Sequence, residues 1–207
     1  LSHRREVVTR RTVFELRKNA RVATGSLRRK AQLLSRRPDY EIVDIRGNVP
    51  TRISKLRESN WDGMILAYAG ISRLGLENQI EHIISTNDML PAPGQGALAI
   101  ETRESDSDVT ELLSVLEHTE SRLCTQAERE ILHSLGGGCQ LPLGTYVHKI
   151  GTGEYSIEAC IANPNGKNML SSKRLCDETR LTQTAREIAE DFLFRGGKEM
   201  IDALLGS

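Results

Sequence analysis

Between residues 21 and 70 the apolar pattern changes period several times. RVAT (21–24) is a short strand-like run. Ser26 then stands at an N-cap position ahead of LRRKAQLLSRR, where Leu27, Ala31 and Leu34 recur at helical spacing, and Pro38 ends that helix. YEIVDI (40–45) alternates as a strand. Asn48 caps a second helix, VPTRISKLRES, with Pro50 in its first turn. WDGMILAYAG (61–70) reads as a buried strand. The order β-α-β-α-β at this spacing predicts an open α/β sheet with crossover helices.

The pattern then changes character. PAPGQGALAIE (91–101) is rich in Pro and Gly before a strand-like run, and reads as a linker or hinge. Residues 107–117 and 119–135 carry helical periodicity, the first with Leu112, Leu113 and Leu116, the second stopping at Gly136. LGTYVHKI, EYSIEACIA and NMLSSKRLC are strands joined through the hairpin signals GTG and NPNG. A last helix is expected over about 179–204. The chain thus divides into an α/β domain (1–92), a hinge and return segment (93–116) and a small α+β domain (117–207) with a three-stranded antiparallel sheet and helices.

Length and composition narrow the class. The 207 residues are enough to bury a sizeable core, and the apolar (38%) and charged (27%) fractions are those of an ordinary soluble chain. No apolar run approaches a membrane span, and the basic start LSHRREVVTRR lacks the apolar core of a secretory signal. Cys124, Cys139, Cys160 and Cys176 are irregularly spaced, which is neither a zinc pattern nor a disulfide framework; a reducing cytoplasm is expected. The five histidines are scattered and read as structural, and no dinucleotide or phosphate-loop fingerprint is present.

Charge changes the picture more. The net charge is zero, but residues 1–75 hold 17 Lys and Arg against 7 Asp and Glu, while the remainder is correspondingly acidic. Fourteen of those 17 cations are arginines, whose guanidinium forks suit planar carboxylates and phosphates. In open α/β sheets ligands gather at the carboxyl ends of strands. TGSLRR (24–29), RGNVPTR (46–52) and AGISR (69–73) follow the three predicted strands, so each delivers arginine to one edge. Three such ends point to a polyanionic ligand. Arg10, Arg17, Arg36, Arg37 and Arg57 are expected to face solvent elsewhere. SLGGGCQLPLG (134–144) places a single cysteine after three glycines. Taken alone, Cys139 is either a small packing residue at a helix end or a sulfur presented on an open loop.

Three classes of function remain: an enzyme working on a polyanion, a nucleic-acid binder using the basic half, and a non-enzymatic solute-binding module. Only Phe14, Tyr40, Trp61 and Tyr68 supply aromatics in the basic half, too few for an evident base-stacking platform.

TGSLRRKAQLLSRRPDYEIVDIRGNVPTRISKL, ILAYAGISRLGL, LPAPGQGALAIE and AERE…LGGGCQLPLG, in this order, resemble the porphobilinogen deaminase (hydroxymethylbilane synthase) family from about residue 20 to the C-terminus. The resemblance implies a periplasmic-binding-protein-like open-sheet domain followed by a small α+β domain. It also implies a cytoplasmic transferase of heme biosynthesis, monomeric when full length, that needs neither metal, nucleic acid nor membrane. Four porphobilinogen molecules are condensed, with loss of ammonia, into the linear tetrapyrrole hydroxymethylbilane. The chemistry runs through protonation of the departing amine, an azafulvenium-type cation, and attack by the α-carbon of the growing pyrrole chain. The family's dipyrromethane cofactor is thioether-linked, a role carried to Cys139. Cofactor contacts are carried to Thr24, Ser26, Arg28, Arg29, Arg46, Arg52 and Gln95, and substrate carboxylates to Arg46, Arg52 and Arg73. Each pyrrole brings an acetate and a propionate, which suits many guanidinium forks.

The family's general acid is an aspartate in an HS-x-KD-x-P motif of an N-terminal domain. His133-Ser134 is followed by Leu-Gly-Gly, so these residues hold no copy. Residues 1–19 match poorly, and Gly136 stands where the family often has Glu. No catalytic residue is therefore assigned, the N-terminal domain is an expected partner, and this chain is expected to be inactive alone.

Overall fold

The computed structural model describes residues 6–8, 13–138 and 141–205. A mixed five-stranded sheet is built from β1 (Glu6–Val8), β2 (Arg21–Ala23), β3 (Glu41–Val43), β4 (Gly63–Ala67) and β5 (His82–Ile84), in the spatial order β3-β2-β4-β1-β5. β3, β2 and β4 are parallel, joined by the crossover helices α1 (Leu27–Arg36) and α2 (Val49–Glu58); β1 runs antiparallel to both β4 and β5. Two apolar clusters flank this sheet. Leu33, Tyr40, Ile65 and Met89 belong to one, and Ile45, Ile53, Met64 and Ile71 to the other. Neighbouring positions 64 and 65 of β4 thus feed opposite faces, as the alternating strand requires.

The second unit follows α4 (Ser107–Leu113). Helix α5 (Thr119–Ser134) and the antiparallel strands β6 (Leu143–Gly151), β7 (Glu154–Ile161) and β8 (Leu170–Asp177) share one core with α6 (Leu181–Phe192). Tyr155, Ile157, Ala159 and Ile161 on one face of β7 meet Ile131 of α5 and Ile188 and Phe192 of α6.

Four expectations change. The long last helix is broken: Arg195 and Gly196 leave helical geometry, Gly196 at φ 95°, and α7 (Lys198–Leu205) starts afresh. Gly196 permits that left-handed kink, and a Cβ on Gly197 would stand 2.5 Å from the Phe192 carbonyl oxygen. The strand expected over 61–70 stops at Ala67, where α3 (Tyr68–Ser72) begins. No strand forms after the Pro/Gly segment, and Leu98 and Ile100 are exposed. Of Leu27, Ala31 and Leu34 only Ala31 is fully buried in α1; Arg28, Arg29, Gln32 and Leu33 are buried with it. The two arginines and Gln32 enter the interior because backbone carbonyls accept their hydrogen bonds.

Candidate functional site

The first two strand ends are built alike, and both the first and the third touch the second. After β2, the Thr24 amide extends the ladder to the Val43 carbonyl (2.9 Å), and Thr24 Oγ1 accepts from the Ser26 amide (3.2 Å). Ser26 Oγ caps α1 at 3.5 Å from the Arg29 amide. After β3, Asn48 Oδ1 accepts from the Thr51 amide (2.9 Å) to cap α2. After β4, α3 leads directly to Arg73. A Cβ on Gly25 would lie 2.7 Å from the Ile45 carbonyl oxygen, so the first loop presses on the second at a position only glycine fits. A Cβ on Gly70 would lie 3.5 Å from Val49, which puts the third end beside the start of α2.

The predicted arginines divide into two kinds. Arg28 and Arg29 are buried. Arg28 donates to the Leu90 carbonyl and to Gln95 Oε1, the latter at 3.2 Å. Arg29 donates to the Ile65 carbonyl (3.2 Å). Arg46, Arg52 and Arg73 sit at or beside the strand-end loops. Arg46 is 91% exposed, 3.6 Å from Asp44, which is also exposed. Arg52 Nε donates to the Gly47 carbonyl (2.7 Å), which leaves the terminal nitrogens of its fork for other acceptors. Arg73 is exposed, and its guanidinium makes no ion pair among the described residues.

The crossing from the first unit to the second is anchored from both sides. Leu90 is clasped by Gln32, whose Oε1 accepts from the Leu90 amide (2.8 Å) and whose Nε2 donates to its carbonyl (3.0 Å). The Pro91 carbonyl accepts from the Thr145 amide (2.8 Å). Glu128 on α5 is fully buried; Oε2 accepts from the Gly94 amide and Oε1 from the Val147 amide, each at 2.8 Å. Sequence reasoning missed Gln32 and Glu128. The available signal was a carboxylate on the apolar face of α5, where Cys124, Ala127 and Ile131 are buried beside it.

Cys139 and Gln140 lie outside the described residues; the glycines before them and Leu141 after them do not. The Gly136 amide donates to the His133 carbonyl (2.9 Å) and the Gly137 amide to that of Leu132 (3.3 Å), the paired bonds of a Schellman turn, with Gly136 at φ 65°. Gly137 is not open space: a Cβ there would be 1.8 Å from Leu141 Cδ1. The glycines thus turn the chain sharply and let Leu141 close over it. Gly138 has nothing within 4 Å. Cys124 and Cys160 are buried and Cys176 is partly so, and none of the three forms a disulfide among the described residues. Burial pushes the Cys160 thiol up to about 11, so it stays neutral near pH 7.

Of the arginines expected to face solvent, Arg10 lies outside the described residues. Arg17 forms a two-bond pair with Asp62 (2.7 and 3.0 Å), Arg36 pairs with Asp88 (2.9 Å), and Arg57 donates to Gln79. Arg37 departs from expectation. It is partly buried, pairs with Asp39, and donates to the carbonyls of Phe14 and Leu16 and to Tyr40 Oη. A carbonyl-rich turn beside α1 needs those donors more than solvent does.

Comparison with known proteins agrees with this architecture. The family model described as porphobilinogen deaminase, dipyromethane cofactor binding domain, matches residues 2–111, and that of the porphobilinogen deaminase C-terminal domain matches residues 122–193. A porphobilinogen deaminase of Chlorobium phaeobacteroides is 42% identical over 197 residues, covering 93% of this chain and 63% of the relative. Those of Syntrophomonas wolfei and Sulfurimonas denitrificans are each 44% identical, over 190 and 188 residues, covering 92% and 90% of this chain but 62% and 60% of their own lengths. The chain therefore spans somewhat under two thirds of these relatives. With one family model over its first half and another over its second, the chain belongs to the porphobilinogen deaminase family.

Proposed function

We propose that this chain is the cofactor- and chain-holding part of a hydroxymethylbilane synthase, which condenses four porphobilinogen molecules, with loss of ammonia, into a linear tetrapyrrole. The observation that carries the reading is the convergence of three strand ends, the second bearing Arg46 and Arg52 and the third Arg73, in a chain whose sequence places a cysteine directly after the glycines that follow α5. The donor set fits a dipyrromethane: its acetate and propionate groups are planar carboxylates, and forks on neighbouring loops accept several at once. When bound, the cofactor supplies the pyrrole carbon from which the product chain grows.

The residues of this chain hold and orient. Cys139 is the anchor; a thiolate is the right nucleophile for a lasting carbon–sulfur bond. Arg46, Arg52 and Arg73 take the carboxylates of cofactor and incoming substrate. Thr24 and Ser26 keep a hydroxyl hydrogen each for the same groups, since their oxygens accept from the Ser26 and Arg29 amides through lone pairs. Arg28 acts with Gln95 at the crossing, and Arg29 locks α1 to β4. No metal is required by this chemistry.

The domain reading follows the same lines. Residues 1–92 form a periplasmic-binding-protein-like unit and 117–207 the unit carrying the cysteine. Residues 93–116 return toward residues that the longer relatives have upstream. Leu98, Leu112, Val115 and Leu116 are each more than 60% exposed, an apolar surface suited to such a neighbour. The general acid belongs to that neighbour, and the whole enzyme is monomeric and cytoplasmic. Among the described residues no helix is long and apolar enough to cross a membrane. The test is turnover. Protein made with the upstream segment is expected to convert porphobilinogen, and these 207 residues alone to fall short by more than the roughly 10²–10⁴ of a lost general acid. Turnover by the short chain at an enzymatic rate would contradict the reading.

A further inference from the structure

A fully buried carboxylate is costly unless its oxygens are met by donors. Glu128 meets that condition in an informative way. Its two oxygens take backbone amides from two different segments, Gly94 of the crossing and Val147 of β6, while its own backbone belongs to α5. The same crossing is tied to the first unit one residue before and one residue after Pro91-Ala92-Pro93-Gly94: Leu90 to Gln32 and Arg28, and Gln95 to Arg28. Helix α5 ends six residues beyond Glu128, at Ser134, and runs into the Schellman turn that precedes Cys139.

We propose that Glu128 is a positioning residue. Its carboxylate locks the 91–96 crossing to α5 and β6, and through them sets where the cysteine loop stands relative to Arg28 and Gln95. The catalytic consequence rests on the functional reading above; the lock itself does not. Glu128→Gln keeps the size but puts an NH2 donor against one of two amide donors, so one bond is lost and a repulsive contact replaces it. Glu128→Asp keeps charge and both oxygens but withdraws them by one methylene, so that both amides cannot be reached together.

Amide hydrogen exchange on this chain tests the lock. In Glu128→Gln and Glu128→Asp, the amides of residues 94–96 and of Val147 are expected to exchange about tenfold faster or more, while those of α1 and β3 stay within about twofold. Unchanged exchange at Gly94 and Val147, or an equal rise throughout the chain, would overturn the proposal, the latter showing a general loss of stability. In protein made with the upstream segment, the same variants are expected to lower kcat about tenfold or more, with KM for porphobilinogen within about threefold and the adduct still on Cys139. A kcat within twofold of the parent would remove the positioning role. If the parent protein itself neither turns over nor carries an adduct, the functional reading fails, and exchange alone then judges the lock. If Glu128→Gln does not fold, Glu128→Asp carries both measurements.

Discussion

The first unit uses arginine in two opposite ways. Arg17, Arg36 and Arg37 are each met by an aspartate of the chain, Asp62, Asp88 and Asp39, within 2.7–2.9 Å. Among the described residues Arg46, Arg52 and Arg73, at the strand-end loops, are left with a 3.6 Å contact to an exposed Asp44, one backbone carbonyl and no ion pair, respectively. The first group is neutralised by its own protein and holds loops to the sheet. The second keeps positive charge and donor capacity at one edge. A basic composition is therefore not the signal for a polyanion site; unspent guanidinium capacity at neighbouring loops is.

The contrast predicts a separation of effects. The largest is on binding. Replacing Arg46, Arg52 and Arg73 together by Lys keeps charge but removes three forks. At roughly tenfold per lost charge-assisted bond, the triple variant should bind a linear pyrrole polycarboxylate about 10³ more weakly in calorimetry, with the melting temperature nearly unchanged. An affinity within tenfold of the parent would mean that the ligand binds elsewhere.

Arg37→Ala should do the reverse. It removes the donors that serve Asp39, Phe14, Leu16 and Tyr40, so the melting temperature should fall by several degrees while ligand affinity stays within about threefold. A loss of affinity without a loss of stability would erase the distinction between the two groups. Its pH dependence sharpens the point. Hydrogen bonding from Arg37 holds the Asp39 carboxyl well below the usual carboxylate range. A depressed carboxylate contributes stability above the unfolded value of about 3.9 and loses it as pH falls toward the folded one. The gap between parent and Arg37→Ala in urea unfolding should therefore hold above about pH 5 and narrow below about pH 4. A gap that widens in acid would contradict this assignment. The smallest expected effect is on thiol labelling: at pH 8 the folded chain should leave Cys124 and Cys160 unalkylated, since both are buried and Cys160 is pushed up to about 11.

Much of this was legible in the sequence, for physical reasons that also mark its limits. The β-α-β-α-β order could be read because each period is local, and Ser26 and Asn48 stand where the two caps form. The strand-end arginines could be read because parallel topology fixes which strand ends share an edge. What escaped depends on distant partners. Arg28 reads as a strand-end fork for a ligand and Gln32 as a polar position of α1 until Leu90, some sixty residues on, supplies their acceptor. Glu128 looks like one of several charges in AERE until Gly94 and Val147 close on it. The short β5 leaves too few residues for a period, and the break at Gly196 hides inside an otherwise continuous helical pattern. The glycines before Cys139 suggest looseness, whereas Gly137 is needed for a tight seat beneath Leu141.

The central claim is that the glycine turn exists to present Cys139 as the covalent anchor of the pyrrole chain. Intact mass and peptide mapping, on protein made at the full length of the longer relatives, test it most directly. The account predicts a mass increase of one dipyrromethane on the peptide containing Cys139, lost in Cys139→Ser and kept in Cys160→Ser. An adduct on another cysteine, or full turnover by Cys139→Ser, would contradict it.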